Sequence, residues 1–496
     1  MKRCLRRWLA FGLSELLLVI PYLRGGAPPQ SPAPASRPET SLRDYLQKPY
    51  VELFELAPKL RLTPAEFQAL RDSLKKGEDV CIARFKGHAK QYDKQIDQTR
   101  ADLKRNAATI TQAQRKQTHC TIQNLDLLKS EALVLSQSAI PTAYDNLAAK
   151  LDLLERWPAL YAQTQEEIST DAYLTRRWGD VKDIGFRKIE DDQADDIKKG
   201  QQAIDEMKRA GLMPPDLQDE VIQSYVDSVA QRVAKYSDLK IPLHIRVLQS
   251  REINAFALPG GYLFIDRGLL EATDDESELA GVLAHEMSHD AARHANKLLK
   301  RATIASIFYQ AAQLAATVLT GGAAGIGAYY AIQYGFYGLG LILNLNLLGV
   351  SREYELEADQ LGVQYAWNAG YDPSGFIRFF DKMATRQGYI QGVSWFRTHP
   401  PFYQRMVSAQ REILFMPPKS DLMIQTSAFE QMKARLAPIA AAAEKEEVGK
   451  PSLLIKREEG CEPPKKLEYT PGQSVENLCS STPRSANNST NKRAPS

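Results

Sequence analysis

Two histidines four residues apart, with a glutamate directly after the first, occur at His285-Glu286-Met287-Ser288-His289. On a helix, side chains four apart share one face and lie about 5–6 Å from each other. Two imidazoles held in that way can both reach one Zn2+ at about 2.0–2.1 Å. Glu286 then sits beside the open coordination position. There a carboxylate can take a proton from a water activated by the metal and pass it to a leaving amine. This is the chemistry of peptide-bond hydrolysis without an acyl-enzyme. A catalytic zinc needs a third protein ligand. His294 is five residues beyond His289, about 140° around a continuous helix. That offset points it away from the site and leaves it a surface or supporting role. The stretch Ser351-Arg352-Glu353-Tyr354-Glu355-Leu356-Glu357-Ala358-Asp359 is a better source. Glu355 and Asp359 are four apart, so one can bind metal while the other accepts the free N–H of a ligand imidazole. By charge pattern alone, the same stretch would read as a solvated helix face.

Several elements must position these groups. A helix starting near Thr273-Asp274, with acids in its first turn, carries the two histidines, and Leu279, Val282, Leu283 and Ala284 mark it as buried. Upstream, Ile241–Leu248 alternates as a strand, and Asn254–Ile265 reads as two short β segments around a Pro259-Gly260-Gly261 turn. Asp216, after Pro214-Pro215, is expected to open a helix with Val221, Tyr225, Val226, Val229 and Val233 on one face. Thr63-Pro64-Ala65-Glu66 has the composition of a capping box with proline at the first helical position. Beyond it, Ile96, Leu103 and Ile110 recur at sevens, and Ile122, Leu125, Leu128, Ala132 and Leu135 form a fuller apolar stripe. Residues 63–180 therefore read as a helical hairpin or coiled-coil-like bundle, either a prop for the next domain or a surface for a protein partner.

The whole chain has 496 residues with a net charge of only +3. No face or block is basic enough for nucleic-acid binding. Lys2, Arg3, Arg6 and Arg7 precede an apolar run from Trp8 to Leu23 and the small residues Gly25-Gly26-Ala27, so 1–27 reads as a signal peptide or N-terminal anchor. Residues 28–62 open with a Pro/Ser/Ala-rich stretch and read as a linker. A second domain spans 183–416, and 417–496 is a C-terminal extension expected to be disordered after about 462. Export makes disulfides permissible. Sequence proximity favours Cys461–Cys479 and Cys81–Cys120, with four unpaired thiols as the alternative. Residues 302–350 carry no charge. They are long enough for two membrane crossings but hold Gln310, Gln313, Asn344 and Asn346, and so read as a buried or surface-lying helical pair, with membrane contact as the alternative.

Four ordered motifs within 183–416 carry a family resemblance. They are Asn254-Ala255-Phe256-Ala257-Leu258-Pro259-Gly260-Gly261 ahead of Gly268-Leu269-Leu270, then His285-Glu286-x-x-His289, then Ser351-Arg352-x-x-Glu355-x-x-Ala358-Asp359, and finally His399-Pro400-Pro401 followed by Arg405. The sequence resembles the metallopeptidase family that includes the CAAX prenyl protease and the heat-shock protease HtpX, and looks closest to its periplasmic BepA-like branch. The resemblance implies an α+β fold: a mostly helical zincin-type domain with a small sheet. It implies one Zn2+ held by His285, His289 and Glu355, with Glu286 as base and Asp359 supporting a ligand histidine. It leaves Glu353 and Glu357 outside the ligand set, and places His399 near the metal as an oxyanion donor or a cap. Asn254, Ala255, Phe256 and Ala257 would form an edge strand to which an extended peptide adds by backbone hydrogen bonds. The expected activity is a metalloendopeptidase acting on exported or envelope proteins, in the periplasm or at a membrane. The rival expectation is a client-binding assembly factor with a mostly closed site.

Overall fold

The computed structural model describes residues 42–175, 181–187, 194–209, 213–294, 352–385, 403–449 and 461. The expected signal segment, the uncharged 302–350 stretch, His399 and the tail after 461 lie outside the described residues.

The chain first builds a helical layer from α1 (Leu42–Tyr45), α2 (Tyr50–Leu56), α3 (Pro64–Arg105), α4 (Gln112–Val134) and α5 (Ile140–Ser169). The start of α3 is the expected capping box. Thr63 Oγ1 accepts the Glu66 N–H, and the Glu66 carboxylate accepts the Thr63 N–H at 2.7 Å. Residues 42–60, read as linker, are instead helical, and Leu46, Tyr50, Leu53 and Phe54 are buried. Trp157 Nε1 in α5 donates to Phe54 O at 3.0 Å.

Next come α6 (Ala194–Arg209) and α7 (Glu220–Lys235). Helix α7 starts three residues later than expected. Asp219, not Asp216, is its N-cap and accepts the N–H groups of Val221 and Ile222, while Asp216 pairs with Leu248. The buried face shifts accordingly to Ile222, Val226, Val229, Ala230 and Val233, and Val221 is exposed.

Among the described residues, the sheet has three strands, β1 (His244–Leu248), β2 (Ala255–Leu258) and β3 (Tyr262–Asp266), in the order β1-β3-β2. β1 runs parallel to β3, and β2 pairs antiparallel with it through the Pro-Gly-Gly turn. Alternation divides the faces. Val247, Ala255, Leu263 and Ile265 join the main core, while Leu248, Phe256 and Phe264 pack with Ile204 and Met207 of α6. β2 is thus an edge strand, as expected for 254–257.

After α8 (Arg267–Ala272), the chain forms α9 (Glu276–Ala291), α10 (Arg352–Asn368), α11 (Ser374–Thr385), α12 (Tyr403–Phe415) and α13 (Ser427–Gly449). α9 is buried along its length, with only His289 partly exposed. The result is a mostly helical α+β fold. Residues of α2, α3, α5, the sheet and α9 to α13 share one hydrophobic core. Among the described residues, no helix is long and apolar enough to cross a membrane.

The cysteines pair differently from expectation. Cys120 of α4 is bonded to Cys461, 341 residues away, and Cys81 is disulfide-bonded as well. Neither pairing favoured by proximity therefore forms. Short loops close at lower entropic cost, but that cost grows only slowly with length, so the fold decides which thiols meet.

Candidate metal centre

The two histidines project from α9, and the acids project from α10, which crosses it. Gly362 makes the crossing possible. A Cβ there would lie 2.9 Å from His285 N and 3.0 Å from His285 Cα. Glu355, Asp359 and Gly362 fall at i, i+4 and i+7 on one helix face. The close approach at Gly362 thus lays both carboxylates over the imidazoles.

Three side chains converge. His285 Nε2 is 3.1 Å from His289 Nε2 and 3.6 Å from Glu355 Oε2, and His289 Nε2 is 3.4 Å from Glu355 Oε1. Ligand atoms around a tetrahedral ion at about 2.0–2.1 Å sit about 3.3 Å apart. These spacings fit that geometry, and the three residues form a group able to hold a metal ion. The charge also fits. Glu286, Glu355 and Asp359 are buried with Arg405 as their neighbouring cation, so carboxylates outnumber arginine around the converging ligand atoms. Buried charge requires compensation, and a bound cation would contribute to it.

Each converging group has a second partner. His285 Nδ1 lies 3.0 Å from Asp359 Oδ1, which directs Nε2 toward the other donors. Burial pulls the His285 pKa down, but the carboxylates of Asp359 and Glu355 outweigh it and push it up to about 9. His289 Nδ1 lies 2.9 Å from His294 Nδ1, and His294 Nε2 lies 3.0 Å from Glu357 Oε2. Tyr354 stacks on the His294 ring at 4.4 Å. The 140° offset expected for His294 fails because α9 ends at Ala291. Arg293 is left-handed (φ 56°), and the turn folds His294 back, buried, onto His289. Glu357, set outside the ligand group, thereby becomes part of its support, whereas Glu353 is exposed.

Arg405 was legible only as a motif residue, with no role attached. It is fully buried on α12 and grips Asp359 with Nε and Nη2, each at 2.6 Å, while Nη1 lies 3.0 Å from Glu355 Oε2. Its guanidinium sits 4.5 Å above the Phe380 ring. The signal that could have located it is a lone arginine among the apolar positions of an otherwise buried helix face.

Asn254 is buried just before β2. Ala255 and Phe256 are buried in the strand, and Ala257 is half-buried. Strand β2 packs directly on α9. The expected edge strand and the metal group are therefore adjacent.

A histidine-bearing helix crossed by an acid-bearing helix, beside the edge strand of a small sheet, is a zincin-like arrangement able to hold a metal ion. Residues 217–413 match the model described as Peptidase family M48. It is similar to the beta-barrel assembly-enhancing protease of Yersinia pestis, 28% identical over 221 residues covering 44% of each chain. It is also similar to the putative protein of that name in Vibrio cholerae, 31% identical over 41% of this chain and 42% of the relative. The mitochondrial metalloendopeptidase OMA1 of Schizosaccharomyces pombe is 31% identical over 41% of this chain and 55% of its own. The matched region spans less than half the length of the two bacterial relatives.

Proposed function

We propose that this protein is a zinc-dependent endopeptidase that cleaves exported or envelope proteins for processing or quality control. The observation that carries the reading is the convergence of His285, His289 and Glu355 at 3.1–3.6 Å beside buried Glu286. His285 and His289, each through Nε2, and Glu355 through its carboxylate would hold the ion. When bound, zinc would polarise the scissile carbonyl and lower the pKa of a water. Glu286 takes the proton from that water and returns it to the leaving amine. Asp359 and His294 hold the imidazoles with Nε2 facing inward, and Arg405 keeps Glu355 and Asp359 in register. His399 would stand near the reacting carbonyl as donor or cap. The substrate lies extended along Asn254–Ala257 of the edge strand, held by backbone hydrogen bonds that select shape over sequence. The basic and apolar N-terminus supports export. The bacterial relatives, named as assembly-enhancing proteases, support an envelope client.

The test is Glu286→Gln in zinc-loaded protein against casein. Removing a general base lowers rate by about 10²–10⁴-fold, with zinc content unchanged. Casein cleavage at the wild-type rate would end this reading. Exported proteins that accumulate in cells carrying Glu286→Gln, relative to wild type, identify the clients. A set with no exported protein in it would remove the envelope assignment.

A further inference from the structure

Asp290 follows the second histidine, and the hydrolytic chemistry makes no use of it. Its buried carboxylate accepts the Gly261 N–H at 2.6 Å and also the N–H of Gly260. These are two successive amides of the turn joining the edge strand to β3, and both glycines are left-handed, at φ +94° and +81°. The turn is wedged on its other side. A Cβ on Gly260 would meet Ile197 Cα at 2.4 Å, and a Cβ on Gly200 would meet Pro259 O at 1.9 Å. Arg293, at the end of the metal helix, grips Asp196 of α6 with two hydrogen bonds of 2.7 and 2.9 Å. Three elements thus meet at one point: the start of α6, the hairpin turn and the C-terminal end of α9.

We propose that Asp290 is a positioning residue for the peptide substrate: by holding the Gly260 and Gly261 amides, it fixes edge strand β2 at a set offset from the metal centre. The proposal rests on the peptidase reading and extends it. β2 is four residues long and, among the described residues, is hydrogen-bonded on one side only, to β3. An added peptide becomes its second neighbour, so the strand's placement sets where the scissile bond falls. A misplacement of about 1 Å can cost about 10²-fold in rate. The rest of the hairpin is held independently, by the β1–β3 ladder and by His244 N donating to Gly261 O at 2.7 Å. Loss of the Asp290 carboxylate therefore loosens the turn without removing the sheet.

The experiment uses the full chain with Asp290→Ala and Asp290→Asn, each alone and on a Glu286→Gln background. It measures zinc affinity by chelator competition, casein cleavage as kcat and KM, and binding of a fluorescein-labelled casein peptide to the Glu286→Gln forms. Expected for Asp290→Ala are a zinc affinity within about threefold of wild type and a fall in kcat/KM of at least about tenfold, with kcat falling as the scissile bond is misplaced and KM rising as the strand loosens. Peptide binding to the double variant should weaken to match. Asp290→Asn, which keeps an acceptor oxygen, should lose less, and it carries the test if the alanine variant does not fold. Unchanged peptide binding and kcat/KM would overturn the proposal, as would a loss of zinc affinity parallel to the loss of activity, because Asp290 would then act through His289. A wild-type protein that binds the peptide but does not cleave casein defeats the peptidase reading and leaves the binding comparison decisive. Absence of peptide binding to Glu286→Gln itself overturns the proposal.

Discussion

At the residue scale, the metal group is a set of paired side chains. His285 leans on Asp359, His289 leans on His294, and Glu355 leans on Arg405. In the His289–His294–Glu357 chain, a proton on His289 Nδ1 shared with His294 and one on His294 Nε2 shared with Glu357 would leave Nε2 of His289 bare for the ion. His294→Ala should therefore lower zinc affinity by about 10–100-fold, the usual cost of removing such a partner. Competition against a chelator of known affinity measures it, and an affinity equal to wild type would rule out the relay. The raised His285 pKa gives a pH dependence. In the metal-free protein this group is protonated below about 9, so zinc must displace a proton. Apparent zinc affinity should rise by up to about tenfold per pH unit between pH 7 and 9, with one proton released per ion at this residue. The folded pKa lies above the ordinary value. The group's contribution to metal-free stability is therefore complete below about 6.5 and lost as pH rises through about 9. Calorimetry in two buffers of different ionisation enthalpy counts the proton.

At the scale of elements, the decisive contact is the crossing of α9 and α10. Glycine at 362 allows backbone to meet backbone. Substituting Gly362→Ala places a carbon where His285 N and Cα already stand. Overpacking of this kind costs about 1–3 kcal/mol, and here it also pushes Glu355 away from the imidazoles. The variant should melt lower and bind zinc more weakly, and a Gly362→Ala protein with wild-type stability and zinc affinity would show that the crossing is looser than described. α12 is held in turn by α5 and the short turn after it: Arg411 reaches Glu167 at 2.7 Å and Thr164 at 3.1 Å in α5, and Phe415 stacks on Tyr173 of the turn Ala172–Thr175 at 5.3 Å. The N-terminal helices thus support the helix that carries Arg405. Whether 63–180 also serves as a partner surface is a question for a binding assay with the intact chain.

At the scale of the molecule, a covalent bond joins α4 to Cys461 across 341 residues. Cross-linking so long a loop removes entropy from the unfolded chain, and losing a native disulfide costs about 2–5 kcal/mol. Cys461→Ser should shift urea unfolding to lower denaturant by a corresponding amount, and an unchanged midpoint would mean that the bond adds nothing to the fold.

The sequence by itself determined the ligand-bearing helix, the capping box at Thr63, the hairpin around Pro259-Gly260-Gly261 and the acids at 355 and 359. These are local signals, in which the spacing of a few neighbours states the geometry. The boundary of α7 was misplaced because Asp216 and Asp219 are both competent caps, and only pairing of Asp216 with β1 chooses between them. The tertiary structure alone decided the return of His294, the grip of Arg405 on two carboxylates, the use of Asp290 and the partner of Cys120. Each joins groups whose proximity depends on how helices cross and how the chain turns after a helix ends. No periodicity encodes such contacts, because they are fixed by packing between segments that the sequence keeps far apart.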